Sequence, residues 1–156
     1  MERSCRVPFL PLYLTGKAAI DRDLFVVVDE EHYQWALQWK WQAVCSKQGT
    51  GYKEKWYATR CTRIFGRGVR VYLHKEILLR SQGMPPSPRY IIGDHMNGDS
   101  LDCRASNLRW ATPRENRQNY NGMFAMQLRL DFGHTPRYLT RTQERRDVRR
   151  HDGQAQ

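Results

Sequence analysis

The chain has 156 residues, the size of one compact unit with room for a loosely attached tail. A hydrophobic fraction of 40% and an aromatic fraction of 12% exclude wholesale disorder. No apolar run approaches the roughly 18 residues of a spanning helix, so a membrane protein is not expected. A net charge of +10 and a pI near 9.8 favour a polyanionic partner, because neutralising phosphates releases condensed counterions.

Taken in chain order, residues 7–14 are apolar but are broken by Pro8 and Pro11, with no small-residue cleavage site behind them, so they do not read as a signal peptide. The run Leu24, Phe25, Val26, Val27, Val28 reads as a buried strand. The acids Asp29, Glu30 and Glu31 after it open a short helix through Trp35. Residues 39–45 alternate Trp39, Trp41 and Ala43 with Lys40 and Gln42, the period-two pattern of a half-buried strand. A turn at residues 46–55 with Gly49 and Gly51 leads to a returning strand at 56–61, and a further strand at 69–73 follows Gly66 and Gly68.

These strands predict a small antiparallel sheet of three or four members, whose wet face carries Lys40, Lys53, Lys55, Arg60, Arg63 and Arg70. Such a face suits a DNA groove, and equally an ordinary solvated surface. Trp35, Trp39, Trp41 and Trp56 read as core. Residues 74–79 predict a short helix, ended by Gly83 and a stretch containing Pro85, Pro86 and Pro88. His74 at its head reads as a packing or capping residue. Cys5, Cys45, Cys61 and Cys103 form no C-x-x-C pair. Cys45 and Cys61 either face each other on neighbouring strands or are small buried apolar residues.

From Tyr90 an apolar strand runs to Asp94 and His95 and meets the turn signal Asn97-Gly98. Twelve residues after His95, Asn107 begins a second short strand through Thr112. Thr112, Pro113 and Glu115 supply an N-cap, a first-turn proline and the return arm of a capping box. Asn116 falls in the first turn of that helix, with Asn119 or Tyr120 one turn later, and Asn121-Gly122 is expected to end it.

Asp94-His95-Met96-Asn97-Gly98-Asp99, followed by Ser106-Asn107-Leu108-Arg109-Trp110-Ala111-Thr112-Pro113-Arg114-Glu115-Asn116, closely resembles the HNH homing-endonuclease family of phages and mobile introns. A weaker likeness extends upstream through residues 29–35, 39–41 and 73–75. The resemblance implies a ββα-metal nuclease in which Asp94 and Asn116 hold one Mg²⁺ or Mn²⁺, a hard ion suited to carboxylate and amide oxygens. It implies His95 as the general base and Asn107 as the residue that orients it, with 5′-phosphate and 3′-hydroxyl products. Arg104, Arg109, Arg114 and Arg117 flank this centre as candidate DNA-binding residues, with Lys40 and Arg60 added from the sheet. The chain departs from the family at Gly93, where an apolar residue usually precedes Asp-His, and at Cys103, where a polar residue is usual.

The expected fold class is therefore α+β, with an antiparallel sheet region at 1–83, an HNH ββα-metal motif at 84–122 and a basic, partly disordered tail at 123–156. The expected activity is metal-dependent cleavage of double-stranded DNA by a monomer, in the cytoplasm of a bacterial host and phage-encoded. The alternatives are a DNA-binding module with weak or lost cleavage and a nuclease acting on RNA or single strands.

Overall fold

The computed structural model describes residues 9–46 and 54–119. Lys53, Tyr120, Asn121-Gly122 and the basic tail lie outside the described residues. Among the described residues the fold is α+β, as expected, with three small antiparallel sheets, two of them two-stranded.

Strand β1 (Phe9–Tyr13) pairs with β2 (Phe25–Asp29), with helix α1 (Lys17–Asp21) between them. Sequence pattern alone passed over β1 because of its prolines, and the register explains why it forms. Pro11 stands opposite Val27, whose N–H donates to Leu101 O (2.9 Å) and whose carbonyl accepts from Cys103 N (2.9 Å). The ladder needs no donor at Pro11, which is where a strand tolerates proline.

Helix α2 (Glu30–Ala36) follows β2 directly. Residues 39–41, read above as the start of a strand, instead form the irregular link to β3 (Gln42–Ser46). Trp41 is buried with its indole N–H donating to Ala36 O (2.9 Å), and Trp35, Trp39 and Trp41 pack ring against ring. Their bulk wraps the end of α2, and this overrides the strand periodicity. β3 pairs with the long β4 (Lys55–Ile64), which pairs with β5 (Arg67–Tyr72).

Helix α3 (Leu73–Ser81) grows directly out of β5 and buries Leu73, His74, Ile77 and Leu78. Then β6 (Ile92–His95) and β7 (Leu108–Ala111) form the third pair, and α4 (Pro113–Gln118) closes the described chain. One core joins these parts: Leu12, Val26 and Val28 from the first pair pack with Trp41, Leu73, Ile77, Leu78, Leu101, Cys103 and Leu108. The two halves of the sequence thus share one interior, with α3 between the outer sheet and the β6–β7 hairpin.

Candidate active site

The β6–β7 hairpin sets Asp94 opposite Arg109 and His95 opposite Leu108. Both Asp94 and His95 are buried. Asp94 Oδ2 accepts from Arg109 Nε (2.9 Å), and Asn119 Nδ2 reaches both carboxylate oxygens (3.1 and 3.0 Å) and His95 O (3.0 Å). A carboxylate offers about four lone-pair sites, so Oδ1 keeps one for another partner.

His95 lies against His74, with ring centroids 4.8 Å apart, and against Tyr57 at 6.2 Å. Its Nε2 is 4.0 Å from Cys103 Sγ. Burial, and secondarily the positive charge of Lys55, lower the His95 pKa to about 3, so its imidazole is neutral at physiological pH. His74 is likewise pushed well below the usual histidine range by burial, then by His95 and Lys75.

The loop from Met96 to Asn107 is a knot of buried polar groups. Asn107 is fully buried. Its Oδ1 accepts from Asn97 N (3.0 Å), and its Nδ2 donates to Asn97 Oδ1 (3.1 Å) and Asp102 O (2.9 Å). Asn97 Nδ2 in turn donates to Asp102 Oδ2 (2.9 Å). Met96 N donates to Asn107 O, and Gly98 N to His95 O, the latter with Gly98 at φ +73, a left-handed turn that favours glycine. Asn107 therefore ties the start of the loop to its end, and His95 sits immediately before that knot.

Helix α4 begins with the expected capping box: Thr112 Oγ1 accepts from Glu115 N, and Glu115 Oε2 accepts from Thr112 N (2.7 Å). The backbone N–H of Thr112 holds the Glu115 pKa below its ordinary value. The helix ends at Gln118 with Asn119 as its C-cap, earlier than Asn121-Gly122. That places Asn116 on the wall of a cavity of about 1120 Å³ that Asp94, His95 and Asn119 also line. The Asn116 amide makes no hydrogen bond among the described residues. Asp94 Oδ1 and Asn116 together supply hard oxygen donors facing one cavity, a donor set that fits a divalent ion keeping several waters.

The rest of the lining is largely basic and aromatic. Lys55 and Tyr57 from β4, Arg70 and Tyr72 from β5, and Lys75 from α3 belong to it, with Arg117 on the α4 side. Strand alternation divides the basic residues grouped together above. Lys55 and Tyr57 share a face with Arg70 and Tyr72, whereas Arg60 projects to the other side. There the Arg60 guanidinium stacks on Trp39 (4.6 Å) and Trp41 (5.5 Å) and meets Glu76 (3.5 Å). Lys40 is exposed in the link after α2, away from any strand.

Arg104 is buried and bonds Asp102 through Nε (2.8 Å) and Nη2 (2.6 Å), which braces the loop. Arg109 is held by Asp94. Both guanidinium groups are committed inside the fold, while Arg114 and Arg117 are exposed on α4.

Several residues of this site escaped sequence reading. His74, assigned above to packing or capping, does pack, and it packs on the centre itself. A Cβ added at Gly93 would lie 2.7 Å from His74 Cδ2 and 3.2 Å from its Nε2. The missing side chain at position 93 is what admits the His74 ring, and the pairing of a glycine with a histidine about twenty positions upstream carries no local signal. Asn119, placed above only by its position on the helix, is joined to Asp94 from 25 positions away, and Asp102 acquires its role from bonds to Asn97 and Arg104 that the folded loop brings together.

Residues 71–118 match the family model described as HNH endonuclease. No curated protein and no solved structure gives a match. The matched stretch runs from the end of β5 through α3 and the hairpin to the end of α4, and so takes in His74 as well as the loop.

Proposed function

We propose, on the match of residues 71–118 to the HNH endonuclease family model, that the chain hydrolyses phosphodiester bonds of double-stranded DNA with Mg²⁺ or Mn²⁺. The observation that carries this reading is convergence: Asp94, His95 and Asn116 line one cavity that Lys55, Arg70 and Lys75 also line. An anionic strand suits a cavity lined by both basic and hydrolytic groups.

Asp94 and Asn116 are the residues that would hold the ion through their side-chain oxygens. When bound, it supplies electrostatic stabilisation of charge on the scissile phosphate and the departing oxygen. Cys103 occupies the Nε2 side of His95, which leaves Nδ1 to take the proton from an attacking water. Burial keeps the ring neutral and ready, and an arriving phosphate offsets the Lys55 charge that opposes protonation. Water oxygen bonds phosphorus as the P–O3′ bond breaks, and the departing 3′ oxygen takes a proton from solvent water, giving a 5′-phosphate and a 3′-hydroxyl. Asn107 acts through the loop as a positioning residue, and Asn119 and Arg109 orient the Asp94 carboxylate. Lys55, Arg70, Lys75, Arg114 and Arg117 contact phosphates. One centre per chain suits nicking by a monomer, and the motif layout suits a phage homing-type enzyme working in a bacterial cytoplasm.

The Asp94–Arg109 ion pair favours one rival, a module that binds DNA without cutting it, since Arg109 neutralises the carboxylate meant for the ion. Incubation with supercoiled plasmid separates the two. The unaltered chain should give relaxed circles with Mg²⁺ and none with a chelator, and His95→Ala should cut roughly 10²- to 10⁴-fold more slowly. Equal cutting by His95→Ala would sink the mechanism. Retarded but intact DNA with the unaltered chain would establish the binding module, and parallel RNA and single-stranded substrates test the preference for duplex.

A further inference from the structure

We propose that Asp29, Glu31 and His32, where β2 passes into α2, form a second metal site, structural and specific for a divalent transition ion of the zinc class. One ligand atom from each of the three lies within 4.8 Å of the others. The observation that sets this group apart from an ordinary acidic turn is His32. It is only 6% exposed, and neither ring nitrogen has a hydrogen-bond partner, although Nε2 points toward Glu31 Oε1 at 3.3 Å. A buried imidazole with two unsatisfied nitrogens is costly, and an ion accepted by one of them removes part of that cost.

Asp29 adds a second anomaly. It occupies the N-cap position of α2, where aspartate normally accepts from the first turn, yet its side chain makes no capping bond. Its Oδ2 instead accepts from Ala105 N (2.7 Å), across the molecule at the end of the nuclease loop.

The donor set decides the metal. An imidazole nitrogen with two carboxylate oxygens suits zinc and its neighbours, whereas the all-oxygen pair Asp94 and Asn116 suits magnesium. Ligand atoms around tetrahedral zinc stand roughly 3.4 Å apart. Glu31, with a side chain 71% exposed, is free to swing in by the distance needed. The filled site would pin α2 to β2 next to Ala105, and so brace the loop that ends at Asn107 without touching the reaction.

The test is titration of the full chain with Zn²⁺ by calorimetry, alongside His32→Ala, Glu31→Gln and Asp94→Ala. The unaltered chain should bind one zinc that Asp94→Ala retains and His32→Ala loses, while Glu31→Gln binds it at least tenfold more weakly. Zinc should also raise the melting temperature of the unaltered chain and of Asp94→Ala, but not that of His32→Ala. Unchanged zinc stoichiometry and affinity in His32→Ala, or no zinc binding by the unaltered chain, would overturn the site. If His32→Ala does not fold, Glu31→Gln decides: its side chain is exposed, and zinc affinity equal to that of the unaltered chain rejects the proposal.

Discussion

The fold contains two antiparallel hairpins of opposite character, β4–β5 and β6–β7. The first is long and ends in solvent: Ile64, Phe65 and Arg67 through Arg70 are exposed, with Phe65 and Gly66 turning the chain at positive φ. The second is four residues per strand, its loop is buried, and the loop's polar atoms are bonded to one another. Exposed strands set charge against solvent and bear substitution lightly. A buried polar loop has no water to replace a lost partner, so each of its bonds carries more weight. On the proposed function, the first hairpin would present phosphate-binding groups and the second would hold the reacting geometry.

The contrast predicts a gradient of effects. Asn107→Ala should be the most damaging change, because it leaves Asn97 N–H and Asp102 O without the Asn107 side chain and removes one of the two donors to Asn97 Oδ1. Roughly 3 kcal/mol or more of stability should be lost, read as a shift of the urea midpoint, together with nicking. A midpoint within about 0.5 kcal/mol of the unaltered chain would show the loop knot to be dispensable.

Acid should act on the same region. The folded pKa of His95 is about 3 against about 6.5 unfolded, so between those values the unfolded chain binds more protons and stability falls as pH falls. From pH 6.5 to 4.5 this group alone costs about 2 kcal/mol. Denaturation midpoints of His95→Ala, followed over the same range, should show a correspondingly shallower pH dependence. Identical slopes would mean that His95 is not held neutral by burial.

Gly93→Ala should cost about 1–3 kcal/mol, since His74 must move to make room for a methyl group. Nicking should fall as His74 pushes on His95, and His74→Ala in the same chain should restore the stability lost to the clash. If Gly93→Ala folds and cuts normally, the glycine has another origin.

The smallest effect on stability belongs to the exposed hairpin. Arg70→Ala should leave the melting temperature nearly unchanged, weaken binding to all duplex sequences alike and reduce the slope of log affinity against log salt by about 1. An unchanged slope would remove Arg70 from the DNA face.

How far the sequence reaches follows from the range of each signal. The cap at Thr112, the turn at Asn97-Gly98 and the strands around Val26 and Trp56 depend on near neighbours, and each lies where local pattern puts it. The Trp39–Lys40–Trp41 alternation misled, because it has the right period for a strand while the indoles are drawn onto α2 by ring packing and the bond to Ala36. Strand β1 was hidden by Pro11, which is tolerated only because Val27 sends its backbone bonds to residues 101 and 103. Arg60 and Arg104 looked like free cations and are held by Trp39, Trp41 and Glu76 in one case and by Asp102 in the other.

By itself, then, the sequence determined the α+β class, the order strand, loop, strand, helix around Asp94, His95, Asn107 and Asn116, and the basic character that calls for a polyanion. These rest on short-range periodicity, capping chemistry and net charge, which a linear chain displays openly. Only the tertiary structure decided which arginines face the cavity, that Asn119 and Arg109 hold the Asp94 carboxylate, that Gly93 makes space for His74, and that Asp29 reaches Ala105. Each of these joins residues distant in sequence through burial and directional bonds, and the partner of such a bond is chosen by packing.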